Sequence, residues 1–365
     1  MKPNKASNIV TYILGMAFNL AIMAVVAYAI YHFALRGFAE GEAFAADMLR
    51  VGPDYEVMFI LEDDLPRAEV ARRLEHMGLI PNQWLFRLEM FLKNSTRVYR
   101  AGTYTLNMNM TNTEINATLR RGQASEHAEA LLITIREGWT IKQMAEYFEY
   151  REFFTAEEFI DYTNTGQFNF RFLRDAPDHP ERNPLEGYLF PDTYEIPLNP
   201  TPRDIIIRML MRFENVITGY WYYRAEELGF TMDQIITMAS VIEGETGRPP
   251  EERPKISQVI HSRLRAGMLL QMDATAIYVL DVHPSRVLNE HLQIESPFNT
   301  HIHLGLPIGP INNPGRASIE AALFPSDTNY LFFVVDYADH TRHVFNANYA
   351  DHSAAAARFW ASLDQ

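Results

Sequence analysis

The sequence contains no cysteine. Disulfide frameworks, thiolate nucleophiles and cysteine-ligated zinc are therefore excluded, while the compartment stays open, because cysteine-free chains occur on both sides of a membrane. Positive charge is also scarce: 32 Lys and Arg face 46 Asp and Glu, a formal net charge of -14, with no Lys/Arg-rich run. Nucleic acids are held by clustered cations, so they are not expected as partners. No HExxH, GxSxG, GxGxxG or GxxxxGK[ST] pattern occurs, which removes common signatures of zinc peptidases, serine hydrolases and nucleotide binders. His301 and His303 form an i, i+2 pair and His340 and His343 follow, yet no zinc spacing accompanies them. The sequence predicts loop or solvated histidines, no metal and no cofactor.

What the chain has is apolar content, 47% over 365 residues, enough for real cores in more than one domain. Val10 to Leu35 carries no Asp, Glu, Lys or Arg over 26 residues. As a helix rising about 1.5 Å per residue, this run exceeds the ~30 Å hydrocarbon layer. A cleaved signal peptide has a shorter apolar region, roughly 7–15 residues, and Ala45-Ala46-Asp47 is a poor cleavage site. Lys2 and Lys5 precede the run; Glu40, Glu42 and Asp47 follow it, with Arg36 weakening the asymmetry without reversing it. The expectation is a single-pass protein of the cell membrane: residues 1–9 cytoplasmic, 10–35 a transmembrane helix, 36–54 a tether, and the remainder outside the cytoplasm.

From Tyr55 onward short strands and helices alternate without a regular βαβ rhythm, which predicts an α+β fold. Residues 55–125 form a small strand-helix module: an apolar strand at Tyr55 to Ile60, helices after Pro66 and over Trp84 to Leu92, and a strand at 101–106. Residues 126–365 form the larger domain. It is predicted to contain a strand at Leu131 to Ile135, one long amphipathic helix over Arg203 to Glu227, an apolar helix from Met232 to Glu243, and a hairpin with a last helix, Tyr349 to Leu363.

Four segments carry polar chemistry. In Ala239 to Gly247 an apolar helix runs into Glu243 and Glu245. Burial disfavours a carboxylate, so a glutamic acid buried here can stay protonated near neutral pH and donate to a leaving oxygen; the alternative is that both glutamates are solvated residues ending a helix. Residues two apart on a helix diverge by roughly 200°, so only one of the pair is aimed at a given bond. In Leu185 to Tyr194, Glu186 and Asp192 alternate with Tyr188, Phe190 and Tyr194, a composition suited to a saccharide cleft or to an aromatic-packed core loop. Gln271 and Asp273 share one face if their stretch is extended. Ser296, Asn299 and Thr300 lead into a Pro/Gly-rich loop through Asn313, a composition that fixes irregular backbone and exposes amides, as a binding loop does. A glycoside hydrolase would need a second carboxylate ~5–9.5 Å from the acid, and Glu186, Asp192 and Asp273 are the candidates.

Together these four segments resemble the endolytic murein transglycosylase (YceG-like) family. Glu186 to Tyr194 is similar to its EGW/Y-x-x-PDT-Y/W segment, Ala239 to Thr246 to AS-I/V-I/V-E-x-E-T, Ser262 to Asp273 to NRL-x-x-G-M-x-LQ-x-D, and Ser296 to Gly315 to SPYNTY…GLPPGPI-x-NPG. Departures are Ser262 for Asn, Ala274 for the Pro after Q-x-D, Phe298 and His301 for Tyr, and Ile308 for Pro. The resemblance implies that Glu245 is the catalytic acid and base, and that residues 55–125 are LysM-like and help hold peptidoglycan. It implies that the products are 1,6-anhydro ends released from nascent glycan strands, ending their elongation. On this reading Glu186, Tyr188, Asp192, Tyr194, Glu243, Gln271, Asp273, Ser296, Asn299, Thr300 and Asn313 bind substrate. The partners are glycan strands, the cytoplasmic membrane and cell-wall synthesis proteins. The competing reading is a non-catalytic, membrane-tethered glycan-binding scaffold.

Overall fold

The computed structural model describes residues 56–61, 63–107, 109–121, 130–168, 170–246, 249–280 and 288–363. The expected cytoplasmic segment, membrane span and tether lie outside the described residues. Among the described residues no helix is long and apolar enough to cross a membrane.

In the first strand Val57, Phe59 and Leu61 alternate on a buried face, and Ile60 on the other face is covered as well. This strand, β1 (Glu56–Leu61), pairs antiparallel with β4 (Gly102–Asn107), which buries Tyr104 and Leu106. Between them lie the short pair β2 (Leu65–Pro66) and β3 (Val98–Tyr99) and two helices, α1 (Arg67–His76) and α2 (Gln83–Leu92). Asn82 starts α2 by accepting from the backbone amides of Trp84 and Leu85, a standard side-chain cap. Helix α3 (Asn112–Arg121) closes this part of the chain.

The larger part opens with β5 (Ala130–Thr134), paired antiparallel with β6 (Thr193–Pro197). Helices α4 (Ile141–Tyr150) and α5 (Ala156–Thr165) lie between these strands in sequence, each opened by a Thr capping box, at Thr140 and Thr155. The single helix expected over Arg203 to Glu227 is two: α6 (Pro202–Val216) and α7 (Gly219–Glu227). The break falls at Ile217 and Thr218, both extended in φ/ψ. β-branched residues leave a helix at small cost, and Thr218 takes the N-cap position of the next one.

Helix α8 (Met232–Glu245) runs two residues beyond the predicted Glu243. It is buried at every position from Met232 to Ile242 except Gln234. Helix α9 (Arg253–Ala266), α10 (Asp273–Tyr278) and α11 (Arg316–Leu323) surround it. The chain ends in the hairpin β7 (Phe332–Val335) and β8 (His343–Asn346), with α12 (Tyr349–Leu363) packed against it. Among the described residues, small antiparallel strand pairs and twelve α-helices make the architecture α+β, as expected.

Buried polar groups on α8 are matched by groups from other segments. Asp233 accepts from Tyr188 Oη at 2.5 Å and from both terminal nitrogens of Arg182, and Arg182 also donates to the Ile308 carbonyl at 2.9 Å. Ser240 Oγ accepts from Ile311 N at 3.0 Å, and Asn312 Nδ2 donates to the Ser240 carbonyl at 2.8 Å. Removing one partner of a buried ion pair strands the other charge. The expected outcome of Asp233→Ala is a loss of about 3–5 kcal/mol of unfolding free energy, measured by urea denaturation. Tyr188→Phe, which removes one hydrogen bond to the same carboxylate, is expected to cost about 1–3 kcal/mol in the same assay.

Candidate active site

Helix α8 ends at Glu245 because Thr246 leaves helical φ/ψ (−82°, 107°) and its amide turns back to the Ile242 carbonyl at 2.9 Å. Glu245 therefore sits at the C-terminal end of an apolar helix, where the helix dipole disfavours negative charge. Gly244 allows a close approach there: a Cβ added to it would stand 2.7 Å from Ala274 Cβ at the start of α10. That approach places the Ala274 amide against Glu245, donating to Oε1 at 2.8 Å.

Burial, and after it the charge of Asp273, pushes the Glu245 carboxyl up to about 7; the Ala274 amide and the buried Arg263 guanidinium act in the opposite direction. Arg263 is held by the Leu270 carbonyl (2.6 Å) and the Leu331 carbonyl (2.7 Å). Asp273 is exposed and meets His301 Nε2 at 3.1 Å. Near neutral pH Glu245 thus divides between a proton-donating and a proton-accepting form, the property general acid-base chemistry needs.

Glu243, two residues back, points elsewhere and is fully engaged. Its carboxylate accepts from Arg253 Nη2 (3.0 Å), Ser318 Oγ (2.7 Å) and the Gly315 amide (3.1 Å), the last two at the N-terminus of α11. It ties two helices together. The expected divergence of the two glutamates is what the helix produces.

Several residues expected to contact substrate serve the interior instead. Tyr188 is fully buried, its ring stacked on Phe172 and its hydroxyl on Asp233. Tyr194 is buried and donates to the Phe190 carbonyl. Asp192 accepts from Arg212 Nε at 2.7 Å. The saccharide-cleft reading of Leu185 to Tyr194 is therefore corrected for these side chains: the segment is an aromatic-packed core loop, and the alternation that suggested ring stacking is core packing.

Glu186 and Asn313 form a buried knot. Glu186 accepts from the Ile141 amide at the start of α4 and from Asn313 Nδ2 at 2.7 Å, and burial pushes its carboxyl up to about 8. Asn313 also donates to the Trp139 carbonyl and accepts from the amides of Gly187 and Leu189. At Gly187 (φ +92°) a side chain would overlap Pro310.

Gln271 and Asp273 do not share an extended stretch: Gln271 is left-handed (φ +49°) and Asp273 is the first residue of α10. Both are exposed, and the charge of Asp273 acts on Glu245. Thr300 shapes this corner from within, its hydroxyl accepting from the Met272 amide (3.1 Å) and meeting Thr275 Oγ1 (2.9 Å), while its carbonyl accepts from the Gln271 amide. Asn299 donates to the Leu292 and Ile294 carbonyls and accepts from the His301 amide; Ser296 accepts from the Phe298 amide. These buried residues build the loop and present no free polar group. The sequence reading missed the Ala274 amide, Arg263 and the Asp273–His301 contact. Only the last had a sequence signal, a histidine close behind the Asn299-Thr300 pair.

Among the described residues no group of three or more His, Cys, Asp or Glu side chains could hold a metal ion. His301 and His303 turn to different acids, Asp273 and Glu295, and His343 pairs with Glu252.

The YceG-like family model matches residues 60–358. An endolytic murein transglycosylase of Bacillus subtilis is 29% identical over 304 residues, covering 81% of this chain and 82% of that protein. One of Streptococcus pneumoniae (strain D39) is 27% identical and aligned with 96% of this chain, which spans only 65% of that relative's length. A crystal structure of a YceG-like protein from Listeria monocytogenes superposes with a TM-score of 0.55 at 25% identity, covering 82% of this chain and 99% of that one.

A carboxyl whose folded-state pKa lies above its unfolded value near 4.5 favours folding when protonated and opposes it once ionised. Glu245→Gln removes that opposition. The variant is expected to melt at a higher temperature than the parent above pH 7, with the gain shrinking as pH falls towards 4.5, in calorimetric scans across that range.

Proposed function

The chain belongs to the YceG-like family, and from that premise we propose that it is an endolytic murein transglycosylase in which Glu245 is both acid and base. The observation carrying this reading is the placement of the Glu245 carboxyl: at the end of a buried helix, near the charge of Asp273, bonded by the Ala274 amide, with burial pushing it up to about 7. A group poised there gives and takes protons with comparable ease.

In the reaction, protonated Glu245 donates to the oxygen of the glycosidic bond between N-acetylmuramic acid and N-acetylglucosamine as the C1–O bond breaks. The resulting carboxylate then takes the proton of the muramic acid C6 hydroxyl, whose oxygen bonds to C1. The product is a 1,6-anhydro end, and Glu245 is reprotonated. Because the nucleophile belongs to the substrate, a second protein carboxylate is unnecessary. Two of the three candidates for one are committed elsewhere, Glu186 to Asn313 and Asp192 to Arg212.

Asp273, whose charge acts on Glu245, and the exposed Gln271 two residues before it are the side chains proposed to meet the sugar, with Ser296, Asn299 and Thr300 shaping the loop behind them. Residues 10–35 are proposed to anchor the chain in the cell membrane, with the catalytic part outside the cytoplasm. The strand-helix-helix-strand order of β1, α1, α2 and β4 supports the proposal that residues 55–125 are a LysM-like module that helps hold glycan.

Glu245→Gln is expected to lower the release of fragments from isolated sacculi by about 10³-fold while the protein stays folded, because general acid-base catalysis is worth about 10²–10⁴. Retained activity would sink the assignment of Glu245, and binding without products from the parent protein would favour the scaffold reading. Mass spectrometry of the parent's products should find anhydro ends, one water lighter than the reducing ends of a hydrolase. Since the first step needs the protonated acid, kcat/KM is expected to fall as pH rises through about 7; a profile flat across that value would contradict the role given to this carboxyl.

A further inference from the structure

Helix α2 (Gln83–Leu92) is apolar on two opposite sides. Phe86 and Met90 are buried in the core. Trp84, Leu85, Leu88, Phe91 and Leu92 are between 44% and 73% exposed. At about 100° per residue, these five positions fall within an arc of about 120° centred opposite the buried pair. Large apolar side chains clustered in this way on a soluble surface mark a place where something else binds.

The surroundings favour one occupant. Over residues 84–100 there are four basic residues, Arg87, Lys93, Arg97 and Arg100, against one acid, Glu89, in a chain whose net charge is -14. Arg87 lies 4.4 Å over the Trp84 ring, keeping its charge beside the apolar arc. Lys93, Arg97 and Arg100 are exposed. Tryptophan, leucine and phenylalanine on one side of a helix, with Arg87 beside them and further basic residues over the eight positions that follow the helix, is a composition suited to the interface of an anionic bilayer.

Chain length brings such a surface within reach. Twenty residues, Arg36 to Tyr55, separate the proposed membrane span from β1, a stretch that can span at most about 70 Å in any conformation. We propose that α2 docks on the bilayer through Trp84, Leu85, Leu88, Phe91 and Leu92, pinning the 55–125 module to the membrane surface. This inference rests on the reading of residues 10–35 as a membrane span. Docking would fix the orientation of the module and, through contacts such as Arg208 Nη2 to the Met58 carbonyl (2.8 Å) and Asn215 Nδ2 to the His76 carbonyl (3.2 Å), that of the catalytic part.

The absence of native cysteine makes the test direct. Full-length Leu88→Cys and, as control, Glu157→Cys on exposed α5 are labelled with a nitrobenzoxadiazole fluorophore and reconstituted in phosphatidylglycerol/phosphatidylethanolamine vesicles. Lipids bearing a nitroxide near the headgroup serve as quencher. The expected result is quenching at position 88 that exceeds position 157 by about threefold or more, with blue-shifted emission, as for a side chain seated in the interface. Equal quenching at the two positions in protein that resists alkaline carbonate extraction overturns docking and leaves the span intact. Extraction of the protein by carbonate overturns the span reading, and the docking with it. A response at position 88 to purified glycan strands but not to the nitroxide lipid assigns the face to sugar and also overturns the proposal.

Discussion

A helix buried along nearly its whole length obliges the rest of the domain to come to it. Helix α8 (Met232–Glu245) cannot hydrate its polar side chains, so a partner must arrive for each: Arg182 and Tyr188 at Asp233, the Ile311 amide and Asn312 at Ser240, Arg253 and Ser318 at Glu243. Leaving any of them unmatched would cost on the order of 1–3 kcal/mol or more. The loop from Phe298 to Gly315 looks irregular because it follows this sequence of obligations along one helix. Glu245, the next acid after Glu243, is the exception: among the described residues one backbone amide meets it and no side chain hydrogen-bonds to it.

That contrast separates two acids that look alike in sequence. Glu243 is spent on three hydrogen bonds, one of them from the Arg253 guanidinium, an arrangement that braces neighbouring helices. At Glu245 desolvation outweighs what the Ala274 amide and the Arg263 guanidinium return, an arrangement that keeps a proton available. The same buried helix therefore produces both a structural brace and a reactive group within one turn.

Legibility in the sequence followed the range of the interaction. Elements fixed by local patterns were readable: the alternation of Val57, Phe59 and Leu61, the final helix over Tyr349–Leu363, and the apolar run of α8. Helix α5 was missed although Thr155 and Glu158 form a capping box, since its apolar positions are few. The break at Ile217 and Thr218 was hidden by amphipathic periodicity continuing on both sides. At the site, the pair of glutamates was visible, but the roles of Tyr188 and Asn313 depend on partners far along the chain. Aromatics between acids read the same whether they face a sugar or a core. The Ala274 contribution comes from a backbone amide and leaves no trace in residue identity.

The single hydrogen bond at Glu245 has a consequence for ligands that carry charge. An amine-bearing sugar mimic placed at the scissile oxygen would favour the ionised carboxylate, so below neutrality its binding would expel a proton into solution. Its affinity would then climb with pH up to the point where Glu245 is already ionised. A neutral mimic at the same place would show the opposite trend, and the pair would act as a voltmeter for the local field at the end of α8.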